Sequence, residues 1–492
     1  MKILLVNPET PSTFWSFRNA LKFISKKSSE PPLGLLTVAA MLPAEWEQKL
    51  IDMNVSQLED KQILWADYVF ITGMNIQAKS FKKVIQRCNE FNIPVVAGGP
   101  MCTMDYQDIT GVDHFVLNEA EITLPQFLAD LQNGTPKHIY QVNDFPDISD
   151  IPAPRWDLLD IKKYATMSIQ YSRGCPFDCE FCSITMLNGH KPRTKGKDQF
   201  LKELESLYQA DWRGGVFIVD DNFIGNKKKL KNEILPALIA WSRNHKYPFT
   251  FMTETSINIA DDEKLLQLMV TAGFDSAFIG IETPHVDSLN ECGKLHNSNR
   301  DMLAAVKKLQ RFGIIVSGGF IVGFDNDPKN IFEQQINFIQ KSGIVTAMVG
   351  LLNAPKGTRL FQRLKSENRL LSRMTGDNMD GSINFIPKMN HQKLKEGYEQ
   401  ILKTIYSHKA YYERVKTFIK EYHLPDHASF NLRLRDIKAL LRSLWILGVW
   451  EKGRRYFWNL IFFSLLKHPK KFSHAVTMAI YGFHFRRVVE SV

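Results

Sequence analysis

Between Met167 and Leu352 the chain repeats one theme six times: a short apolar run followed by a stretch with helical spacing. The apolar runs are Met167–Tyr171, Val216–Asp221, Phe249–Ser256, Ala277–Thr283, Ser317–Phe324 and Thr346–Leu352. Asp198–Ala210, Asp262–Ala272 and Asn299–Phe312 read as amphipathic helices between them. This alternation predicts parallel strands, because two strands that run the same way need a crossover long enough to hold a helix. Residues that do chemistry on such units collect at the C-terminal ends of the strands.

The first 145 residues predict a second α/β unit. KILLVNP, QKLIDM, DYVFITGM, IPVVAGGP and HFVLNE read as strands, and PLGLLTVAAML, KSFKKVIQRCNEF and EITLPQFLADL as helices. Short buried runs between amphipathic ones imply an open, doubly wound parallel sheet covered on both faces. Gly73, Gly98 and Gly99 fall at strand ends, where a missing side chain lets a bulky ligand approach the backbone. A proline-rich strap follows, with residues 146–163 as linker, 164–360 as the second unit and 361–492 as a helical region. At 492 residues, 44% hydrophobic and 23% charged, the chain is long enough for several cores.

Three of the six cysteines, Cys175, Cys179 and Cys182, lie within YSRGCPFDCEFCSI. Cys88, Cys102 and Cys292 are scattered. This is no disulfide framework. Structural zinc takes four ligands, and His190 is near enough in sequence to supply one. Three thiolates on a four-iron cube leave one iron open for a substrate or cofactor.

CxxxCxxC after a strand and Arg-Gly, with Phe181 before the third cysteine, resembles the radical S-adenosylmethionine (SAM) signature. The resemblance implies a partial (β/α)6 barrel, a 4Fe-4S cluster on Cys175, Cys179 and Cys182, and SAM on the open iron. It also implies SAM contacts at strand ends: Asp221 and Asn222 of VDDNF, Glu254 of TETS, Glu282 of IGIETP and Gly323 of GGFIVGFD. In that last segment Asp325 directly follows Phe324, so the acidic position of the family's GxIxGxxE pattern is displaced.

The first unit, placed ahead of such a barrel, resembles a cobalamin-binding domain. Thr72-Gly73 stands where relatives have Ser-x-Leu, and Gly98-Gly99 matches their glycine pair. The loop NPETPSTFW has no DxHxxG, which implies a cobalt face without a histidine from that loop. NEAE, Asn118 to Glu121, replaces the commoner GEGE and resembles the subgroup that includes the hopanoid methylases.

The charge is lopsided. Asn431–Val492 holds twelve Lys/Arg and three Asp/Glu, which accounts for nearly all of the net +10. Bulky apolar runs alternate there with the cations and reach about a dozen residues, short of the roughly 20 a spanning helix needs. Such composition suits a helix pair lying on anionic lipid. Packing as core and gripping nucleic acid are the duller readings, and the aliphatic length of the runs argues against a nucleic-acid partner. MKILLVNPE lacks the features of a signal peptide, so a cytoplasmic protein is expected, peripheral on the inner membrane face if the tail docks.

The resemblance implies an enzyme that methylates an unactivated carbon through a 5′-deoxyadenosyl radical and methylcobalamin. It further implies a small hydrophobic substrate and a flavodoxin or ferredoxin as electron donor. Cyclisation or rearrangement with the same cofactors remains open, as does a non-enzymatic zinc scaffold at the membrane. RNA modification fits less well, since no second cysteine triad exists.

Overall fold

The computed structural model describes residues 1–425 and 434–491. Asn431 to Arg433 and Val492, at the two ends of the basic tail, lie outside the described residues. The first sheet holds β1 (Lys2–Asn7), β2 (Glu47–Asp52), β3 (Tyr68–Thr72), β4 (Val95–Gly98), β5 (His114–Val116) and β6 (Ile139–Tyr140). All pair parallel in the order β2-β1-β3-β4-β5-β6. Ile3, Leu5, Phe70 and Val96 face one hydrophobic layer, and Leu4, Val6, Val69, Ile71 and Ala97 the other. Both faces are therefore covered, as near-continuous apolar strands require.

A two-residue hairpin, β8 (Ser172–Arg173) with β9 (Arg193–Thr194), brackets the cysteines. The second sheet holds β7 (Thr166–Ile169), β10 (Gly215–Ile218), β11 (Thr250–Glu254), β12 (Phe274–Glu282), β13 (Ile315–Val322) and β14 (Ala347–Leu351). Neighbours in space follow chain order and every pair is parallel. Six βα units wound one way curve without closing, the partial barrel that the sequence predicts.

After β1, the stretch from Phe14 to Glu30 leaves the first sheet. Phe14 is buried and stacks on Phe485 with ring centres 4.2 Å apart. Trp15 reaches into the barrel, its Nε1–H 2.9 Å from the Met348 sulfur and its ring edge-on to Phe278 at 5.3 Å. Gly319 on β13 has no side chain because the Phe278 ring fills that space, 2.8 Å from where a Cβ would stand. Thr166 N–H donates to Ser29 O (2.8 Å), and the Ser168 hydroxyl donates to Glu30 (3.1 Å), so this segment lies along β7.

The C-terminal region divides into two parts. Helix Phe472–Val489 is core: Ala475, Ala479 and Phe485 are buried, and Tyr411 O–H donates to Met478 O at 2.6 Å. Helices Leu434–Trp445 and Arg454–Lys467 bury one side only. The helix break falls at Pro469. The core reading of the tail therefore holds for Phe472–Val489, while the other two helices leave an exposed side. No helix among the described residues is long and apolar enough to cross a membrane.

Candidate active site

Gly174 opens the cysteine loop at φ +93°, and a Cβ there would meet the carbonyls of Gly189 and Asn188 within 3 Å. Only glycine fits that left-handed, crowded position. Asp220 and Asp221, at the end of β10, hold the loop's entry. Asp220 accepts from Tyr171 N–H (2.8 Å) and the Ser172 hydroxyl (2.5 Å); burial pushes its carboxyl up to about 7. Asp221 accepts from Gly174 N–H (3.1 Å) and the Asn188 amide (3.0 Å). Asn222 points its amide at the Cys175 sulfur (4.0 Å) and accepts from Ser256 N–H (3.2 Å). The VDDNF run therefore first shapes the cysteine loop, and Asn222 is its residue nearest a thiol.

The far side of the loop rests on ECGKLH, residues 291–296, a stretch that carries no motif of its own. Glu180 N–H donates to Cys292 O (2.9 Å), Phe177 stacks on His296 at 3.7 Å, and a Cβ on Gly293 would stand 3.0 Å from Asp178 O. Burial pushes the Cys179 thiol up to about 11 and Cys182 up to about 12; the Lys294 ammonium opposes this at all three cysteines. Lys294 is itself buried and paired with Glu282. Glu282 sits at φ +61° and is engaged by this lysine, so the pair faces the cysteines together.

Glu254, partly buried at the end of β11, has a carboxyl pushed up to about 8 by burial and by the charges of Asp221, Glu30 and Asp220. Both causes favour the neutral carboxyl over the carboxylate. Gly323 (φ +108°) ends β13 and its N–H donates to Asp327 (2.8 Å). Asp325 is spoken for: Arg369 (2.6 and 2.8 Å) and Arg363 (2.9 Å) donate to it. Burial would raise its carboxyl, but the two guanidiniums outweigh that and hold it at about 2. Arg363 also clamps Glu180 of the cysteine loop, at 2.7 and 3.0 Å. The acidic residue that shapes the β13 turn is Asp327, two residues beyond the displaced one.

A cavity of about 340 Å³ opens at the C-terminal edge of the first sheet, between helix Leu33–Met41 and the ends of β3, β4 and β5. Thr72, Gly98 and Gly99 line it with Val38, Phe70 and Val116. Gly73 does not: its absent Cβ faces Phe81 and Met101 in the layer behind. A Cβ on Gly98 would stand 2.6 Å from Val116 O, and Gly99 (φ +92°) faces the Thr72 hydroxyl. The opposite wall belongs to the barrel side, Gln170, Arg173 and Asn188 among it.

Between the two walls stands a buried ion-pair lattice. Arg173 donates to Glu119 (2.6 Å) and to Glu121 (2.8 and 3.0 Å). Arg193 donates to Glu119 (2.5 and 3.0 Å), to Pro146 O (2.7 Å) and to Asn188 O (3.0 Å). Asn118 takes φ +61°, a left-handed conformation that Asn tolerates better than other residues with side chains. That explains how NEAE can stand in for GEGE at its first position.

The site can be tested against the groups its sequence implies. Cys292 turns its thiol to Leu289 O (3.4 Å) and His190 is exposed, so neither completes a four-ligand set. Among the described residues no three Cys, His, Asp or Glu side chains converge on a point that one metal ion would occupy. A four-iron cluster makes no such demand, since each thiolate binds its own iron. The thiol set fits that cluster with one iron open. The apolar cavity, its glycine edge and the unpaired buried Asn118 Oδ1 fit the ring-bearing, polar-tipped tail of a cobalamin.

Comparison with known proteins agrees. Residues 23–128 match the B12 binding domain, 169–339 the radical SAM superfamily and 358–492 a domain of unknown function. An uncharacterized methyltransferase of Synechocystis sp. is 39% identical over 100% of this chain and 92% of its own length. The hopanoid C-2 methylase of Rhodopseudomonas palustris is 31% identical over 95% of this chain and 90% of its own. The solved cobalamin-dependent SAM radical enzyme OxsB, with aqua-cobalamin bound, shares the fold (TM-score 0.65, 15% identity, 100% of this chain and 80% of that one). This chain belongs to the radical SAM enzymes that carry a B12-binding domain, in the family of the hopanoid C-2 methylase and its methyltransferase relatives, and works with a 4Fe-4S cluster, SAM and cobalamin.

Proposed function

We propose that the protein methylates an unactivated carbon of a hydrophobic, lipid-like substrate. The observation that carries this is the shared wall: residues of the cysteine hairpin line the cavity that fits cobalamin, and an apolar patch of Trp15, Phe278 and Met348 lies inside the adjoining barrel. Bound there, the cluster with SAM supplies a hydrogen-abstracting radical and the cobalamin a methyl group. Cys175, Cys179 and Cys182 would hold the cluster. Asn222 would face the ligand of the open iron, and Gly323 would leave room beside it. Glu254, whose surroundings favour the neutral carboxyl, would donate a hydrogen bond to a ligand hydroxyl or carboxylate. Trp15, Phe278 and Met348 exclude water and orient the substrate's apolar body. The hopanoid C-2 methylase relative favours a lipid. Anaerobic turnover with methyl-labelled SAM and extracted lipids tests it: a product heavier by one methyl supports the reading, and a product of unchanged carbon count favours cyclisation. Flavodoxin or ferredoxin is the proposed electron donor.

Occluding the cavity should remove cobalamin. Gly99 is a poor place to do so, since its φ and the Thr72 hydroxyl would wreck the turn. Gly34 lines the cavity and has open space around its missing Cβ. Gly34→Trp is expected to lower cobalamin affinity at least about tenfold, 1.4 kcal/mol or more, by absorbance titration, with iron uptake retained. Bound cobalt(II) should show no splitting from a histidine nitrogen of Asn7–Trp15 in its paramagnetic spectrum, because that loop has none.

A lipid substrate goes with a peripheral station on the inner membrane face. Leu434, Ile437, Leu441 and Trp445 recur on one side of their helix, all exposed, the Trp450 ring lies 6.2 Å from that of Trp445, and Phe462 and Leu466 are exposed on the helix that follows. Lys438, Lys452, Arg454, Arg455 and Lys467 are exposed around it. Apolar burial contributes roughly 25 cal/mol per Å² and each surface cation on the order of 1 kcal/mol on anionic lipid. Wild-type protein should float with anionic liposomes, and 1 M salt should release it only in part. Trp445→Ser with Trp450→Ser should weaken binding to anionic and neutral vesicles alike; Arg454→Glu with Arg455→Glu should weaken it mainly on anionic ones. Trp458 is the wrong probe, since its N–H donates to Gly448 O (3.0 Å) and the ring packs inward. Protein that stays in the soluble fraction would refute the attachment.

A further inference from the structure

We propose that Glu119 and Glu121 are positioning residues through which cobalamin binding and cluster binding strengthen each other. Both carboxylates line the cavity of the first domain, and both are nearly buried, with side chains 7% and 12% exposed. Their partners belong to the hairpin that carries the cysteines. Arg173 stands two residues before Cys175, and Arg193 on β9 closes the same hairpin. From Arg193 the connection is continuous: its guanidinium donates to Asn188 O, and the neighbouring Gly189 O accepts the Cys175 N–H at 3.2 Å. The Asn188 amide donates to Asp221, which also accepts the Gly174 N–H. A ligand filling the cavity meets Glu119, Glu121 and Arg173, three of the four charged side chains that fix the first cysteine's backbone.

Two guanidiniums and two carboxylates that neutralise one another in a dry site are held by geometry, because breaking one pair strands a buried charge. The lattice therefore ties the hairpin to the cavity wall, so that the two order together rather than separately. Ordering the hairpin with either cofactor removes part of the ordering cost for the other, and such coupling is reciprocal by linkage. Arg173 and Arg193 are suited to this where lysines would not be, since each planar fork reaches two acceptors at once.

The test is a binding cycle rather than turnover. Cobalamin affinity is measured by anaerobic absorbance titration on full-length protein with and without its reconstituted cluster. The cluster-loaded wild type should bind about fivefold or more tightly than the cluster-free form, within the usual range of coupling. Glu119→Gln with Glu121→Gln should bring that ratio close to one, with both cofactors still able to bind. Glu121→Gln alone keeps both Glu119 pairs and should give an intermediate ratio, which decides the matter if the double variant misfolds. The inference rests on the two cofactor positions proposed above. Wild-type protein that binds no cobalamin would defeat those positions; binding with a ratio of one, or variants that keep the wild-type ratio, would overturn the coupling alone.

Discussion

Protein with Cys175, Cys179 and Cys182 all replaced by alanine is expected to take up no iron and to form no 5′-deoxyadenosine from SAM after anaerobic reconstitution and reduction. The effect should be complete because the loop has no reserve. Cys292, the next cysteine after them along the chain, donates its thiol to Leu289 O and is buried behind the loop. Cys88 and Cys102 lie in a separate hydrophobic layer of the first sheet, with no exposed surface. Alanine at Cys88 or Cys102 should leave iron content unchanged, since each behaves as a small buried apolar group. The loop itself should survive the triple change, because Gly174, Asp220, Asp221 and Glu180 hold it through backbone and ion-pair contacts that use no thiol. Iron and sulfide analysis beside a melting curve separates loss of the cluster from loss of the fold. Undiminished 5′-deoxyadenosine from the triple variant would overturn the cluster assignment.

The strands were legible because each is short, apolar and bounded by polar turns. Six predicted runs from Met167 to Leu352 overlap β7 and β10 to β14, and the sheet order follows the chain. The cysteine loop was legible because its ligands are adjacent in sequence. What the sequence hid is whatever depends on partners far away along the chain. Lys294 looks like one more lysine until β12 folds and sets it against Glu282 and the thiols. NEAE reads as a helix start, yet two of its carboxylates are fixed by arginines 52 to 74 residues later. An arginine beside the cysteines and an acidic pair ahead of a helix are both visible in the sequence, but nothing in one dimension joins them. Gly73 stays out of the cavity for a related reason: its missing Cβ faces Phe81 and Met101, side chains from the helices that follow β3 and β4, which only the folded packing places there. The tail was ambiguous because its core helix and its exposed helices share one composition, and only packing against Tyr411 and Phe14 tells them apart.

Lys294→Met should be the most costly single substitution near the site. It leaves the Glu282 carboxylate buried without its cation, and breaking such a pair typically costs about 3–5 kcal/mol. The surroundings offer little relief. Gly280 lacks a side chain because the pair occupies that space, and Glu282 is held at φ +61°, where a residue with a Cβ does not readily rearrange. Glu282→Gln with Lys294→Met removes both charges at similar volume and should recover most of the lost stability, since the desolvation of an ion pair largely offsets its attraction. The two variants should nevertheless agree in a second respect. Lys294 is the cation that opposes the effect of burial at Cys175, Cys179 and Cys182, and Glu282 works against it, more weakly, only at Cys179, so losing the lysine disfavours the thiolates even when the Glu282 charge goes with it. Denaturant unfolding should therefore separate the single from the double variant, while iron retained after desalting should be low in both. A double variant no more stable than the single would show that the pair is not what holds this turn. A double variant with full iron would show that the cluster does not depend on the lysine's charge.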